Sequence, residues 1–436
     1  MDDGSRAPGT SREGCFAQAQ PVVSASSRAR AGRLGLLASL YVSQGLPFGF
    51  FTQALPVLLR RRGLSLADIG LSSLLAIPWA LKFMWAPLVD RFFFARLGRR
   101  RSWILPMQLL TIVVLACVAL APPGHSLRWL LVAVLGVNFL SASQDIATDG
   151  LAVDMLAPSE RGLANGIQVA GYRAGMILGG GALLVLFERI GWTSTFLIMA
   201  VLVAATTVPI ALHSEPPAAA APASLARTVT GFWRRPETPQ VLALLVVYKL
   251  GDAFAVGMLR PFLADLGLSM ADIGWLVGTV GFAFGLVGAL AGGGLITRMG
   301  RRRSLVAFAA FQAVSVLLYA CVALTHSVSL ARLALATALE HFAGGMATAA
   351  LFTCMMDWTG AESAATDYTI QASVVVIATG AAASLSGFSA QRLGYGGHFV
   401  LAGGLAVLAP ILVYALFPSS VRDPHSSPET LHEQPI

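Results

Sequence analysis

The apolar residues of this chain come in long unbroken runs, without the strict alternation that marks a half-buried strand. Each run is about 20 residues long, which is enough for a helix to cross the hydrocarbon core of a bilayer. A count of ten or eleven spans would leave one such run in water. The pattern therefore predicts twelve membrane-spanning helices, at 34–59, 68–89, 103–121, 128–153, 163–187, 192–212, 241–264, 272–297, 304–324, 329–353, 364–389 and 397–417.

The two sets of six runs repeat one another in sequence. The phrase at 63–70 returns at 267–274, the phrase at 98–102 returns at 300–304, and Ile167-Gln168 has an echo in Ile370-Gln371. The offsets of 204, 202 and 203 residues agree, which indicates duplication of a six-helix unit. Because six is an even number, both copies have the same orientation in the membrane, an arrangement known in transporters whose substrate site lies between the halves.

The fold class expected is therefore an all-α polytopic membrane protein, with twelve transmembrane helices in two parallel six-helix repeats. We expect five divisions. They are a disordered cytoplasmic tail (1–33), an N-terminal bundle (34–212), a cytoplasmic linker rich in Pro and Ala (213–240), a C-terminal bundle (241–417) and a second cytoplasmic tail (418–436).

Composition supports a membrane protein. Hydrophobic residues make up 56% of the chain and charged residues 12%, about half the charged share of a soluble protein. The net charge of +8 comes from arginines in short loops, where they fix topology, and it does not indicate a nucleic-acid partner. We expect a monomer surrounded by membrane lipid, with both termini in the cytoplasm.

Other function classes lack their signatures. The four cysteines have no metal-ligand spacing, so we expect neither a metal nor a cofactor. No nucleophile and base pair indicates an enzyme, and the phosphate-binding pattern of a primary pump is absent. No loop is long enough to form a sensing domain.

Carboxylates within the apolar runs are the main functional signal. Asp145 and Asp149 are four residues apart, on one face of the fourth predicted span. Ionisable groups at this depth are costly and usually mark a transport or proton pathway. We interpret Asp145, Asp149 and Glu340 as candidates for proton coupling.

The chain contains only two lysines, Lys82 and Lys249, and both lie within predicted spans. An ammonium group there, in a chain that otherwise uses arginine, suggests a specific role. An alternative interpretation is that the buried charges only lock helices together. Asp145 with Arg173 and Lys249 with Asp252 would then be the pairs.

The loop after the second predicted span resembles the signature loop of the major facilitator superfamily. Asp90-Arg91 ends that span, and three arginines, 99–101, follow. The resemblance implies that Asp90 and Arg91 hold the cytoplasmic face shut in one state. Asp154 is a further gate candidate, whereas arginines 99–101 could serve only to fix topology. An acidic loop at 357–367 could pair with arginines of other cytoplasmic loops.

Several phrases look like one branch of that superfamily, the peptide–acetyl-CoA–drug permeases. They lie at 44–49, 81–91, 144–150, 171–173 and 248–252. The resemblance implies a cavity lined by the first, fourth, seventh and tenth spans. The substrate-binding candidates there, with the neighbouring second and fifth spans, are Gln44, Lys82, Tyr172, Arg173, Lys249 and Asp252.

The branch includes siderophore permeases, AmpG-like muropeptide permeases and acetyl-CoA transporters. The phrases at 101–108, 145–153 and 365–371 look closest to the siderophore group. The first expectation is therefore proton-coupled import of a siderophore or ferric siderophore across a bacterial inner membrane. Import of an anhydro-muropeptide, or of another peptide, drug or acyl-CoA, is the alternative.

Overall fold

A computed structural model describes residues 27–61, 63, 72–121, 127–215, 224–325, 329–360 and 362–418. Within these ranges every regular element is a helix. The two outer tails, most of the first copy of the repeat at 63–70 and part of the predicted linker lie outside the described residues.

The helices of the first half follow the predicted runs. They are α1 (Ser27–Gly49), α2 (Leu55–Arg61), α3 (Ile77–Leu81), α4 (Ala86–Arg91), α5 (Arg101–Leu120), α6 (Leu127–Met155), α7 (Arg161–Met176) and α8 (Leu183–Leu212). Short π segments at Phe50–Ala54 and Ile177–Ala182 continue α1 and α7, and 3₁₀ turns at Ser72–Ala76 and Lys82–Met84 flank α3.

The second half is built in the same way, after a short helix in the linker. Its helices are α9 (Leu225–Trp233), α10 (Thr238–Asp265), α11 (Met270–Ile273), α12 (Phe282–Met299), α13 (Arg301–Thr325), α14 (Leu330–Asp357) and α15 (Ala364–Leu416), with a π segment at Gly274–Gly281 before α12.

Two of these helices contain a sharp turn. Gly191 in α8 and Gly394 in α15 have φ values of 75° and 67°, a region that glycine reaches at little cost. The 53 residues of α15 therefore form two successive helices that meet at Gly394. In the described residues, eight helices are long and apolar enough to cross a membrane, while the count of twelve spans stays a prediction.

The predicted boundaries need two corrections. The first helix begins at Ser27, inside the predicted disordered tail. Arg33 in this segment donates to Glu160 Oε1 at 2.7 Å, so the segment is also tied to the start of α7. The predicted linker contains the helix α9, whose Phe232 is buried. Arg235, just after α9, pairs with Asp367 at 2.5 Å and anchors the linker to the start of α15.

Glycines let the long helices approach closely. A Cβ on Gly45 or Gly175 would overlap backbone atoms of the other helix, so α1 and α7 touch through their main chains. Gly292 and Gly293 of α12 pack in the same way against Met346 and Gly166. Small residues at such helix contacts let the backbones approach closely, whereas Gly294 of the same helix has open space around it and takes no part in this packing.

Candidate functional site

One end of the helix bundle carries the arginine-rich loops, and Asp90 lies at its centre. The buried Asp90 carboxylate accepts from Arg99 Nη2 at 3.0 Å and from Arg100 Nη1 at 2.8 Å. Its other oxygen accepts from the backbone N and the Oγ1 of Thr366, at 2.8 and 2.6 Å. Thr366 is the third residue of α15, where helix amides have no partner within the helix. Asp90 therefore joins the end of α4 to the start of α15 in the other half.

Arg99 and Arg100 supply the guanidinium groups that pair with Asp90, a role predicted for Arg91. Arg99 Nη2 also donates to the Glu362 carbonyl at 2.8 Å, and Arg100 Nε pairs with Asp154 at 2.8 Å. Burial alone lowers the pKa of Arg100, but Asp154 and Asp90 raise it above its ordinary value, so this guanidinium stays charged. Arg99 and Arg100 therefore do more than fix the topology of the chain, because they hold the buried carboxylate of Asp90. Arg91 is half-buried and lies over the Phe92 ring.

A second contact closes the same end. The Asp357 carboxylate at the end of α14 accepts from Arg161 Nη1 and from Arg301 Nε, each at 2.8 Å. Arg161 belongs to the first half and Arg301 to the second, and Arg301 Nη2 also donates to the Pro158 carbonyl at 2.5 Å. The acidic loop thus pairs with arginines across the halves, as the sequence suggested.

Deeper in the first half, two carboxyl groups lie side by side. Lys82 pairs with Asp145, and Asp149 lies within hydrogen-bonding range of Asp145. Asp149 Oδ1 accepts from Tyr41 Oη at 2.8 Å and from Gln168 Nε2 at 3.3 Å. The suggested Asp145–Arg173 pair is therefore wrong, because Lys82 occupies the Asp145 carboxylate.

A break in the second predicted span puts Lys82 in place. Pro87 follows at the start of α4, and proline lacks the N–H that would continue a helix through residues 82–85. The chain makes a 3₁₀ turn at Lys82–Met84 instead. This turn directs the ammonium group inward toward α6.

Two further candidates of the first half lie nearby. Gln44 is fully buried, and neither polar atom of its amide has a hydrogen-bond partner among the described residues. Tyr172 is half-buried in an aromatic cluster that we define as Phe48, Trp79 and Tyr172. Ring centroids in this cluster are 5.5 to 6.4 Å apart.

The second half contains a cavity of about 510 Å³. Lys249 Nζ pairs with Asp252 Oδ2 at 2.6 Å, and Glu340 Oε2 lies 2.5 Å from His341 Nδ1. The Lys249–Asp252 pair suggested from sequence is therefore present. Glu340 also lies within hydrogen-bonding range of Asp252, so this cavity has a pair of carboxyl groups like the one around Asp145.

Arg173 reaches this cavity from the first half. It lines the cavity beside Lys249, and its guanidinium lies 5.9 Å from the Phe282 ring centroid. A Cβ on Gly285 would overlap this guanidinium, so the side chain crosses α12 where that helix has no side chain. The cavity therefore combines groups from both halves.

Sequence reasoning missed several partners of these groups. Gln168 lies in a phrase that the repeat had singled out, so its spacing offered a signal. Thr366 lies in the phrase at 365–371, which stood out only by its resemblance to a family, and nothing in the sequence marks Tyr41. Among the described residues, no group of three or more potential metal ligands is present.

Comparisons with known proteins agree with this architecture. Residues 33–126 match the family model for acetyl-coenzyme A transporter 1, and residues 241–434 match that of the Major Facilitator Superfamily. The outward conformation of FucP, a transporter of that superfamily, has a TM-score of 0.69 at 13% identity, covering 88% of this chain and 98% of that one. A bacterial homologue of ferroportin in its outward-facing state gives 0.65 at 16% identity, covering 88% and 99%. The fold and the cavity thus define a transporter of the major facilitator class.

Relatives in sequence show which family of the superfamily the chain belongs to. The chain is 31% identical over 388 residues to the anhydromuropeptide permease of Escherichia coli (strain K12), covering 87% of this chain and 79% of the relative. It is 28% identical over 392 residues to putative transporter AmpG 4 of Rickettsia felis, covering 86% and 94%. The chain belongs to the anhydromuropeptide permease family of the major facilitator superfamily. It is a multi-pass membrane transporter and not an enzyme.

Proposed function

We propose that this protein imports anhydromuropeptides across a bacterial inner membrane, by alternating access of its two halves. The observation that carries the proposal is the cavity shared by Arg173 of the first half and Lys249 of the second. It lies in a bundle whose arginine-rich end is held shut by Asp90 and Asp357. We take the substrate class from the Escherichia coli relative, which is named an anhydromuropeptide permease.

The geometry supports an outward-open state. Arginine-rich loops face the cytoplasm in most membrane proteins, so the closed end would be the cytoplasmic one, with both termini on that side. Import would then require the Asp90–Thr366 and Arg161–Asp357 contacts to separate while the opposite end closes. The division into bundles at 34–212 and 241–417 and the count of twelve spans are part of this proposal.

Proton coupling would use the two pairs of carboxyl groups. Two carboxylates that lie side by side repel when both are charged, and a shared proton removes that repulsion. In each pair one carboxylate also holds a lysine: Asp145 pairs with Lys82, and Asp252 pairs with Lys249. Protonation could thereby loosen the lysine pairs and permit the change of state.

A siderophore remains the second candidate. The phrases around Asp145 and Asp367 favoured it, and the cavity cations would suit an anionic chelate. The sequence relatives favour the muropeptide instead. We therefore take the muropeptide as the substrate and keep siderophores as competitors in the test.

The test is uptake into proteoliposomes. Purified protein should accumulate a labelled anhydromuropeptide when the outside is more acidic than the inside, and a protonophore should abolish the accumulation. Unlabelled muropeptide should compete, whereas ferric siderophores should not. Uptake no faster than into protein-free liposomes would refute the proposed substrate, and uptake indifferent to the protonophore would refute the coupling.

A further inference from the structure

The charged side chains of the second-half cavity carry both signs at close range. Arg173 and Lys249 supply cations, while Asp252 and Glu340 supply carboxyl groups, and His341 lies beside Glu340. A cavity for a simple anion would need only the cations, and the carboxyl groups would repel that ligand. A ligand group that itself carries an anion and a cation matches this lining on both counts.

Arg173 is the cation best placed to receive a carboxylate. Among the described residues it makes no ion pair, although it is half-buried at membrane depth and lies beside a phenylalanine ring. A guanidinium in such surroundings gains most from a bidentate carboxylate partner. Lys249, by contrast, already pairs with Asp252 Oδ2 at 2.6 Å. The other oxygen, Asp252 Oδ1, is buried without a hydrogen-bond partner among the described residues and can receive a ligand ammonium.

The aromatic cluster of Phe48, Trp79 and Tyr172 does not line this cavity, but it is linked to it along α7, where Tyr172 directly precedes Arg173. Tyr172 and Arg173 are consecutive residues of α7, so their side chains leave the helix about 100° apart. Tyr172 points to Phe48 and Trp79 in the first half, and Arg173 points across Gly285 in the second. Half-buried aromatic faces offer a large apolar contact area for a ring.

We infer that the cavity is a subsite for a zwitterionic end of the substrate, with its carboxylate on Arg173 and its ammonium on Asp252 and Glu340, and that the aromatic cluster holds a ring of the same molecule. The inference rests on the proposed function and deepens it, because it names which parts of a muropeptide are recognised. An amino acid end with both groups free would satisfy this lining, and a ligand lacking either charge would bind more weakly.

The site is then divided between the halves. The ring would be held by first-half residues, whereas the ammonium would be held by second-half residues. A ligand that carries both the ring and the zwitterionic end contacts both halves, so its binding favours the state in which the halves are close together. A fragment with only one of these groups contacts one half and has no such effect. Selection for the intact muropeptide follows from that geometry.

The experiment measures binding to the purified full-length protein in lipid nanodiscs. The probes are one anhydromuropeptide with free carboxylates and a free peptide amine, its carboxyl-amidated form and its N-acetylated form. Wild-type protein should bind the amidated and acetylated forms about tenfold or more weakly than the parent, the loss expected for a charge-assisted contact.

The variants assign each charge. Arg173→Gln should lose the preference for carboxylate over amide but keep the preference for free amine. Asp252→Asn should do the reverse, and the neutral pair Lys249→Gln with Asp252→Asn tests the same point should the single variant fold poorly. The matched controls are Arg260→Gln and Trp275→Ala, which are exposed on the same half, and Trp79→Leu should weaken all three probes alike.

The outcomes separate the two proposals. Absence of parent binding to the wild-type protein would overturn the proposed function. Parent binding with equal affinity for all three probes, or unchanged preferences in Arg173→Gln and Asp252→Asn, would overturn the subsite while leaving muropeptide import intact.

Discussion

Thr366 donates two hydrogen bonds to one oxygen of Asp90, from its backbone N at 2.8 Å and from its Oγ1 at 2.6 Å. The two residues are 276 positions apart in sequence. A carboxylate at a helix N-terminus satisfies free amides and favours the positive end of the helix dipole. This contact joins the two halves at the arginine-rich end, and in the proposed mechanism it would break when the halves separate.

Asp90→Asn should weaken that closure. Arg99 and Arg100 would lose the charge that holds them, and removing one partner of a buried pair costs on the order of 3 kcal/mol. We expect a lower unfolding midpoint and faster labelling of a Thr348→Cys reporter in the cavity from the arginine-rich side, in a background free of other cysteines.

Asp265→Asn is the control for that experiment, since Asp265 is exposed at the opposite end and bonds only Tyr395 among the described residues. Equal labelling rates and midpoints in the two variants would show that Asp90 does not hold this end shut.

The Lys82–Asp145 pair should behave as a unit. Lys82→Met or Asp145→Leu alone leaves one buried charge without its partner, at a cost of about 3–5 kcal/mol. The double variant should recover most of that stability but not uptake, as measured by thermal unfolding and by transport assay. Arg30→Met is the control, because Arg30 is exposed and 3.6 Å from Glu160, and such a pair contributes about 0–1 kcal/mol. Additive losses in the double variant would contradict the pairing.

Asp149→Asn should separate coupling from transport. The amide keeps the bond from Tyr41 but cannot exchange a proton, so uptake driven by a pH gradient should disappear while exchange of internal for external substrate continues. Tyr41→Phe should have a smaller effect, because it removes one hydrogen bond only. Gradient-driven uptake that survives in both Asp149→Asn and Asp145→Asn would exclude these residues from coupling.

Gly285→Ala tests whether the crossing of Arg173 matters. The added methyl group would overlap the guanidinium and displace it from the cavity. We expect a rise in KM of about tenfold, equivalent to one lost charged contact, with normal expression. Gly294→Ala on the same helix meets open space and should match wild-type protein. Similar KM values for both variants would refute the role assigned to the glycine.

Much of this protein follows from its sequence alone. The apolar runs fixed the helices, because only a helix of about 20 residues satisfies its backbone within a bilayer. The repeat indicated two related halves, and the burial of Lys82 and Asp145 and the half-burial of Lys249 followed from their place in those runs. The family followed from short phrases around such residues.

The partners of those charges were decided only by the tertiary structure. Duplication offered no guide, since the position 203 residues after Asp145 is Thr348 and the one after Asp149 is Phe352. Lys82 pairs with Asp145 because a proline breaks the second span, and Arg173 enters the opposite half because Gly285 leaves room. Both depend on how helices distant in sequence approach one another, which periodicity along one chain does not contain.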